Sequence, residues 1–244
     1  MIIIKDKNKN SDISIIKSST IAVINGNLNF SKIGYSAEDT SNAYDVLNDA
    51  IQYAEVVKKT YTDSKTYQSD AKLIYFPVVD TNNRTSCANM FKNCGSLQYV
   101  PPLTISNKCT RLNSMFYGCN LLTSIDVSNF DTSNVTNMAF MFNSCKLITV
   151  LDLSNWDVSN VTSMSSMFSS CTSLTNFQAP QNINVNIAFN GCNNLTIDSL
   201  LSILNNLTNR TATTTLTCTL GTINLNKLTD EQKAIATAKN WVLK

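Results

Sequence analysis

IDVSNFDTSNVTNMAFMFNSC, residues 125–145, is followed by LDLSNWDVSNVTSMSSMFSSC, residues 151–171. The two strings agree in kind at almost every step. Their shared core is an apolar residue followed at +3, +4 and +7 by Met, Phe and Cys. It reads Met138, Met141, Phe142, Cys145 in one copy and Met164, Met167, Phe168, Cys171 in the next. Working outward, two earlier copies read Cys87, Met90, Phe91, Cys94 and Leu112, Met115, Phe116, Cys119. A worn fifth reads Val185, Ala188, Phe189, Cys192. Successive copies begin 25, 26, 26 and 21 residues apart. A period of this length is the mark of stacked repeats, in which each unit is too small to close a core alone.

The 3-4-7 spacing puts four apolar side chains on one face of a short helix. Three residues after each Cys stand Leu97, Leu122, Ile148, Leu174 and Leu195, and next come Val100, Ile125, Leu151 and Phe177. Val127, Leu153 and Ala179 follow two further on. That final step is strand alternation. Each unit is therefore expected to be a short helix, a turn and a short strand. Phe130 and Trp156 hold matching aromatic positions, with Ile105 in the same place, amid Ser, Thr, Asn and Asp. Such residues bond to their own backbone and suit tight corners.

These residues resemble the BspA-type leucine-rich repeats of bacterial surface proteins and mycoplasma lipoproteins, over about residues 86–207. The match is closest from Ile125 to Cys145 and from Leu151 to Cys171. The resemblance implies an α/β solenoid, a leucine-rich-repeat right-handed coil, used for adhesion and recognition rather than catalysis.

Composition narrows the classes further. The chain has 244 residues, a net charge of +2 and no His. That charge gives no reason to expect nucleic acid or an anionic surface as partner. No apolar run approaches the ~20 residues of a membrane span. Eight Cys raise the question of disulfides or zinc, yet five of them (Cys94, Cys119, Cys145, Cys171, Cys192) share one repeat position. Cys87 occupies the Leu112 position, Cys109 that of Val135 and Val161, and Cys218 lies outside the pattern. They read as buried small hydrophobes. Parallel side chains of neighbouring coils make an awkward disulfide. With no C-x-x-C and no His, a zinc site is not expected, nor is any other metal or cofactor. Asn-x-Ser/Thr matches at Asn83, Asn134, Asn160 and Asn194 read as turn residues.

Four domains are expected: a β anchor over 1–34, a helical stalk over 35–70, the repeats over 71–207 and a cap over 208–244. The start, Ile2-Ile3-Ile4 followed by Lys5-Asp6-Lys7, lacks the features of a secretory leader. A virion setting would account for such a start, since virions assemble in the reducing cytoplasm, where eight unpaired thiols are tolerated. Ile13–Ile16 and Thr20–Ile24 precede Asn25-Gly26, a hairpin signal, so a small docking β element is expected there. From Ser36 to about Tyr67, a seam of Ala43, Val46, Ala50, Tyr53 and Val57 steps 3, 4, 3, 4. That is a heptad pattern, suited to a trimeric coiled coil or to a helix lying on its own domain. Leu47-Asn48-Asp49-Ala50-Ile51 resembles the short helix that follows the anchor in phage fibre and tail proteins. Lys72–Val79 reads as an entry strand. Beyond the repeats, a helix is expected over 198–207, weak strands over 213–225, and a last helix capped by Thr229 and Gln232 that ends near Trp241.

The candidate binding residues are the non-core positions of the expected strand face: Gln98, Tyr99, Thr123, Ser124, Asp126, Thr149, Asp152 and Asn176. Asp126 and Asp152 fall at equivalent positions, which also makes them candidates for a Ca²⁺ pair or an acid/base couple, against a solvated ladder or hydrogen bonds to Ser and Thr neighbours. A glycan-cleaving enzyme would need paired carboxylates in a cleft. The leading expectation is a non-enzymatic phage fibre or decoration subunit on the virion surface. It would dock on other virion proteins through its N-terminus and present the repeats to a host-surface glycan or protein. A bacterial cell-surface adhesin and a glycan-active enzyme are the alternatives.

Overall fold

The computed structural model describes residues 2–5, 12–16, 21–22, 68–69, 81, 83–100, 103–210 and 214–244. Two compact units divide the chain, one of residues 1–65 with 75–78 and one of residues 66–74 with 79–244. In the first, strands β1 (Ile2–Lys5), β2 (Asp12–Ile16) and β3 (Ile21–Ala22) pair antiparallel in chain order. The register sets Ile2 opposite Ile15 and Ile15 opposite Ala22. The Ile-Ile-Ile run, weighed above only as a leader, is thus a strand. The Asn25-Gly26 turn, the heptad seam Ala43, Val46, Ala50, Tyr53, Val57 and the entry strand Lys72–Val79 lie outside the described residues.

The second unit is built from coils laid in parallel on one another. Bridges link Ser86 to Arg111, Arg111 to Asn137 and Asn137 to Ser163. Separate columns link Tyr99 to Ser124 and Ile105 to Phe130. Strands β4 (Val150–Asp152) and β5 (Asn176–Gln178) extend the Tyr99–Ser124 column, with Leu151 beside Phe177.

The interior is columnar because each coil contributes the same side chains at the same height. Phe91, Phe116, Phe142, Phe168 and Phe189 stack with centroids 5.2, 5.6, 6.3 and 5.0 Å apart, the rings within 9° of parallel. Phe130 stacks on Trp156 at 5.8 Å, and the Trp156 indole N–H donates to the Val127 carbonyl at 3.2 Å. Met90, Met115, Met141, Met167 and the leucines at 97, 122 and 174 are sealed from solvent.

The helix expected in each unit is not formed at the Met-Phe-Cys segments of 87–94, 112–119, 138–145 or 164–171, which are chains of turns. In the first, the amides of Cys87, Asn89, Phe91 and Asn93 donate across to Arg111, Asn113, Met115 and Tyr117 of the next coil. The amides between them, at Met90, Lys92 and Cys94, donate three residues back. A helix would send every amide four residues back along its own chain. The left-handed residues that close the turns recur every four positions: Asn89 and Asn93, Ser114 and Gly118, Phe140 and Ser144, Ser166 and Ser170. Their φ angles run from 51° to 73°.

Spacing explains why turns win. Strand pairing elsewhere in the coil sets successive coils ~4.8 Å apart, whereas packed helices stand ~8–10 Å apart. The phenylalanine stack keeps the short spacing on the turn side as well. Turns of this kind still bury residues at +3, +4 and +7, so the apolar pattern is shared by both conformations.

Helices appear after the repeats. They are α1 (Ile197–Asn206), α2 (Thr222–Leu225) and α3 (Asp230–Thr237), with α1 capped by Thr196 and α3 by the expected Thr229–Gln232 box. The last helix ends at Thr237, short of Trp241, because the chain turns into β8 (Trp241–Leu243). Strands β6 (Ile187–Ala188), β7 (Leu216–Thr219) and β8 pair in parallel, which carries the ladder through the expected cap. Cys218, outside the sequence pattern, pairs with both Ile187 and Leu243 and is buried.

Candidate functional site

The strand-face candidates stand in columns because the coils are stacked in register. Gln98, Thr123 and Thr149 form one. The Thr123 hydroxyl donates to the Gln98 carbonyl at 3.4 Å, and the Thr149 carbonyl accepts from the Thr175 hydroxyl at 3.0 Å. Tyr99, Ser124 and Asn176 form a second, joined by the Tyr99–Ser124 bridge and the Val150–Asn176 pair. Val150 sits between Ser124 and Asn176 in that column and is 52% exposed. It was missed because an apolar residue in a repeat reads as core. All eight candidates are exposed except half-buried Tyr99.

Asp126 and Asp152 form the third column, and local bonds occupy them. The Asp126 carboxylate accepts from the Ser128 amide at 2.9 Å, and that of Asp152 accepts from the Ser154 amide at 2.9 Å. The same bond recurs from Ser133 to Asp131 and from Ser159 to Asp157. Both hydrogen bonds from Ser128 hold the Asp126 carboxyl below its usual range. A carboxyl held low stays ionised at neutral pH and is a poor proton donor there. Among the described residues, no group of three His, Cys, Asp or Glu is arranged to hold a metal ion. No helix among them is long and apolar enough to cross a membrane.

The cysteine column has a structural bond of its own. The thiols of Cys119, Cys145 and Cys171 each donate at 3.1 Å to the carbonyl of Phe91, Phe116 and Phe142 in the coil before. Cys192 does the same to Phe168 at 2.9 Å. All eight cysteines are buried, free thiols. Burial pushes the Cys119 and Cys145 thiols up, so they stay protonated and inert as nucleophiles at neutral pH. Asn134, Asn160 and Asn194 use their amide nitrogens as donors to the carbonyls of Asn107, Ser133 and Thr172. Their place is in the coil framework.

A second exposed feature lies on the turn side. Phe140 is 40% exposed and holds a φ of 60°. The Tyr117 ring meets it edge-on at 6.5 Å, and the Lys92 ammonium lies 5.5 Å from the Tyr117 ring centre. Sequence reasoning passed over Phe140 because it sits inside Met-Ala-Phe-Met-Phe. The available signal was its departure from Asn89, Ser114 and Ser166 at the same position.

No match is found among curated proteins or among solved structures. Residues 85–200, just under half of the chain, match the model of the family described as Mycoplasma protein of unknown function, DUF285, which is the mycoplasma repeat context that the Met-Phe-Cys phrase pointed to.

Proposed function

We propose that the protein is a non-enzymatic structural and recognition protein whose repeats form a leucine-rich-repeat type of solenoid and bind a host-surface glycan or protein. The observation that carries the reading is the strand side, where short polar side chains repeat in columns over successive coils. A face of this kind offers many weak, repeated contacts, which suits a repetitive ligand. The carboxylates that a glycosidase would need are instead bonded to serine amides two residues on. The setting we favour is a phage virion, with the chain as a fibre or decoration subunit, a trimer through the 35–70 segment, and its N-terminus on other virion proteins. Eight buried free thiols are compatible with assembly in a reducing cytoplasm. The family match, to a model described by Mycoplasma, favours the second reading, a bacterial cell-surface adhesin.

The test is co-sedimentation with intact host cells and with their purified capsular polysaccharide. Wild-type protein is expected to pellet with one of them, and Thr123→Lys with Thr149→Lys is expected to abolish that. Shortening of the polysaccharide on chromatography would overturn the binding-only reading. For the setting, a clean monomer in analytical ultracentrifugation would overturn the trimer.

A further inference from the structure

Two features adjoin on the turn side, away from the strand columns. The first is the pair Tyr117 and Phe140. The second is a cleft of about 360 Å³ between the fourth coil and the strands that follow it, lined by residues 162–166, 185–188, Thr217 and Thr219. They touch through the backbone, since the Phe140 amide donates to the carbonyl of Ser165 at 2.9 Å. The fifth repeat begins only 21 residues after the fourth, where the earlier steps are 25 or 26. The cleft lies at that shortened step.

Phe140 is the residue that most needs an explanation. A bulky side chain at positive φ costs on the order of 1–3 kcal/mol and persists at sites of function. Asn89, Ser114 and Ser166 occupy the equivalent places with φ of 59°, 55° and 51°, so the fold does not require an aromatic ring there. The ring is also left in solvent beside a second ring. Phe140 thus bears a backbone cost and an exposure cost, set against a single edge-on contact with Tyr117.

The cleft supplies the complementary chemistry. Its lining is neutral, with no acidic or basic side chain. Ser165, Ser166, Thr217 and Thr219 are among its lining residues, and their side-chain hydroxyls make no hydrogen bond among the described residues. Single-stranded nucleic acid would demand a basic groove. A phosphate or carboxylate would demand a fixed cation, and Lys92 already lies over the Tyr117 ring. Exposed rings offer a negative π face to the C–H face of a pyranose, and free hydroxyls match its polar rim.

We infer that the Tyr117–Phe140 platform and the adjoining hydroxyl-lined cleft form a binding site for a neutral oligosaccharide, one sugar ring stacking on Phe140 while the next units run into the cleft. This rests on the recognition reading above and adds to the strand columns a separate contact on the turn side.

The test is calorimetric titration of the full chain with four neutral hexasaccharides, built of α-glucose, β-glucose, β-N-acetylglucosamine and α-mannose. At least one is expected to bind. Phe140→Ser is expected to weaken it by about tenfold or more, because a ring-stacking contact is lost. Its urea midpoint is expected to stay level or rise, since serine serves at the same place in neighbouring coils. Thr217→Val, which removes a cleft hydroxyl at constant shape, is expected to weaken the same sugar. The inference is overturned if none of the four binds, or if Phe140→Ser leaves the affinity unchanged. If cell binding survives Phe140→Ser and is lost with Thr123→Lys and Thr149→Lys, this site is wrong and the recognition reading stands. If the wild type binds neither cells nor sugar, both fail.

Discussion

The segment from Cys87 to Cys192 and the segment from Ile197 to Lys244 both lay the chain in parallel on itself, but they return it differently. The first uses turns, with every second amide of the first three Met-Phe-Cys segments bonded to the next coil. The second uses three helices that satisfy their own backbones, between strands β6, β7 and β8. The strand spacing is common to both. What differs is whether the return segment must stack at that spacing. In the repeats it does, coil upon coil, and turns follow. After Cys192 no identical neighbour remains to stack on, and helices of ordinary width are admitted.

The largest effect is expected in the ring column. Phe142→Ala, in the middle of the stack, should lose about 3–5 kcal/mol in urea denaturation, because a cavity opens between two coils at once. A loss as small as that of a surface change would mean the columns are not the core.

Next in size is an alkaline loss from Cys218, which sits in the helical region. Burial pushes its thiol up from 9.0 to about 12. Between those values the native chain holds a proton that the unfolded chain has released, so stability falls as pH rises. By pH 10.5 the cost is about 2 kcal/mol, and Cys218→Ala should remove that part of the slope. Urea midpoints at pH 7, 9 and 10.5 check the sign, and a flat profile would refute it.

The comparison itself is sharpest in a pair of glycine substitutions expected to move stability in opposite directions. Ala234→Gly in α3 should cost about 1 kcal/mol, since glycine weakens a helix interior. Ser170→Gly should gain about 0.5–1 kcal/mol, since Ser170 holds a φ of 63° and Gly118 already serves at the same turn position. If both destabilise, the turn assignment fails. Smaller or similar, Thr229→Ala should cost about 1 kcal/mol in urea denaturation through the lost cap of α3.

Much was legible beforehand because burial depends on spacing alone. Every Met, Phe and Cys singled out in the first four copies is sealed from solvent. The Thr229 box and the helix near 198–207 were readable because capping is local chemistry. The turn side was misread because +3, +4, +7 serves helix and turns equally. The recurring Asn, Ser and Gly at 89, 93, 114, 118, 144, 166 and 170 were the available warning, since these are poor helix formers that tolerate positive φ. The bonds of Asp126 and Asp152 to Ser128 and Ser154 were legible too, since an Asp two residues before a Ser accepts from that amide locally.

The sequence by itself determined the period, the identity of the core column and the position of the caps, because these follow from which side chains leave water and which bond locally. Tertiary structure alone decided the conformation of the return segment. That depends on the distance to the next coil, which no single repeat encodes. It decided in the same way that Phe140, one apolar letter among many, stands partly in solvent beside Tyr117.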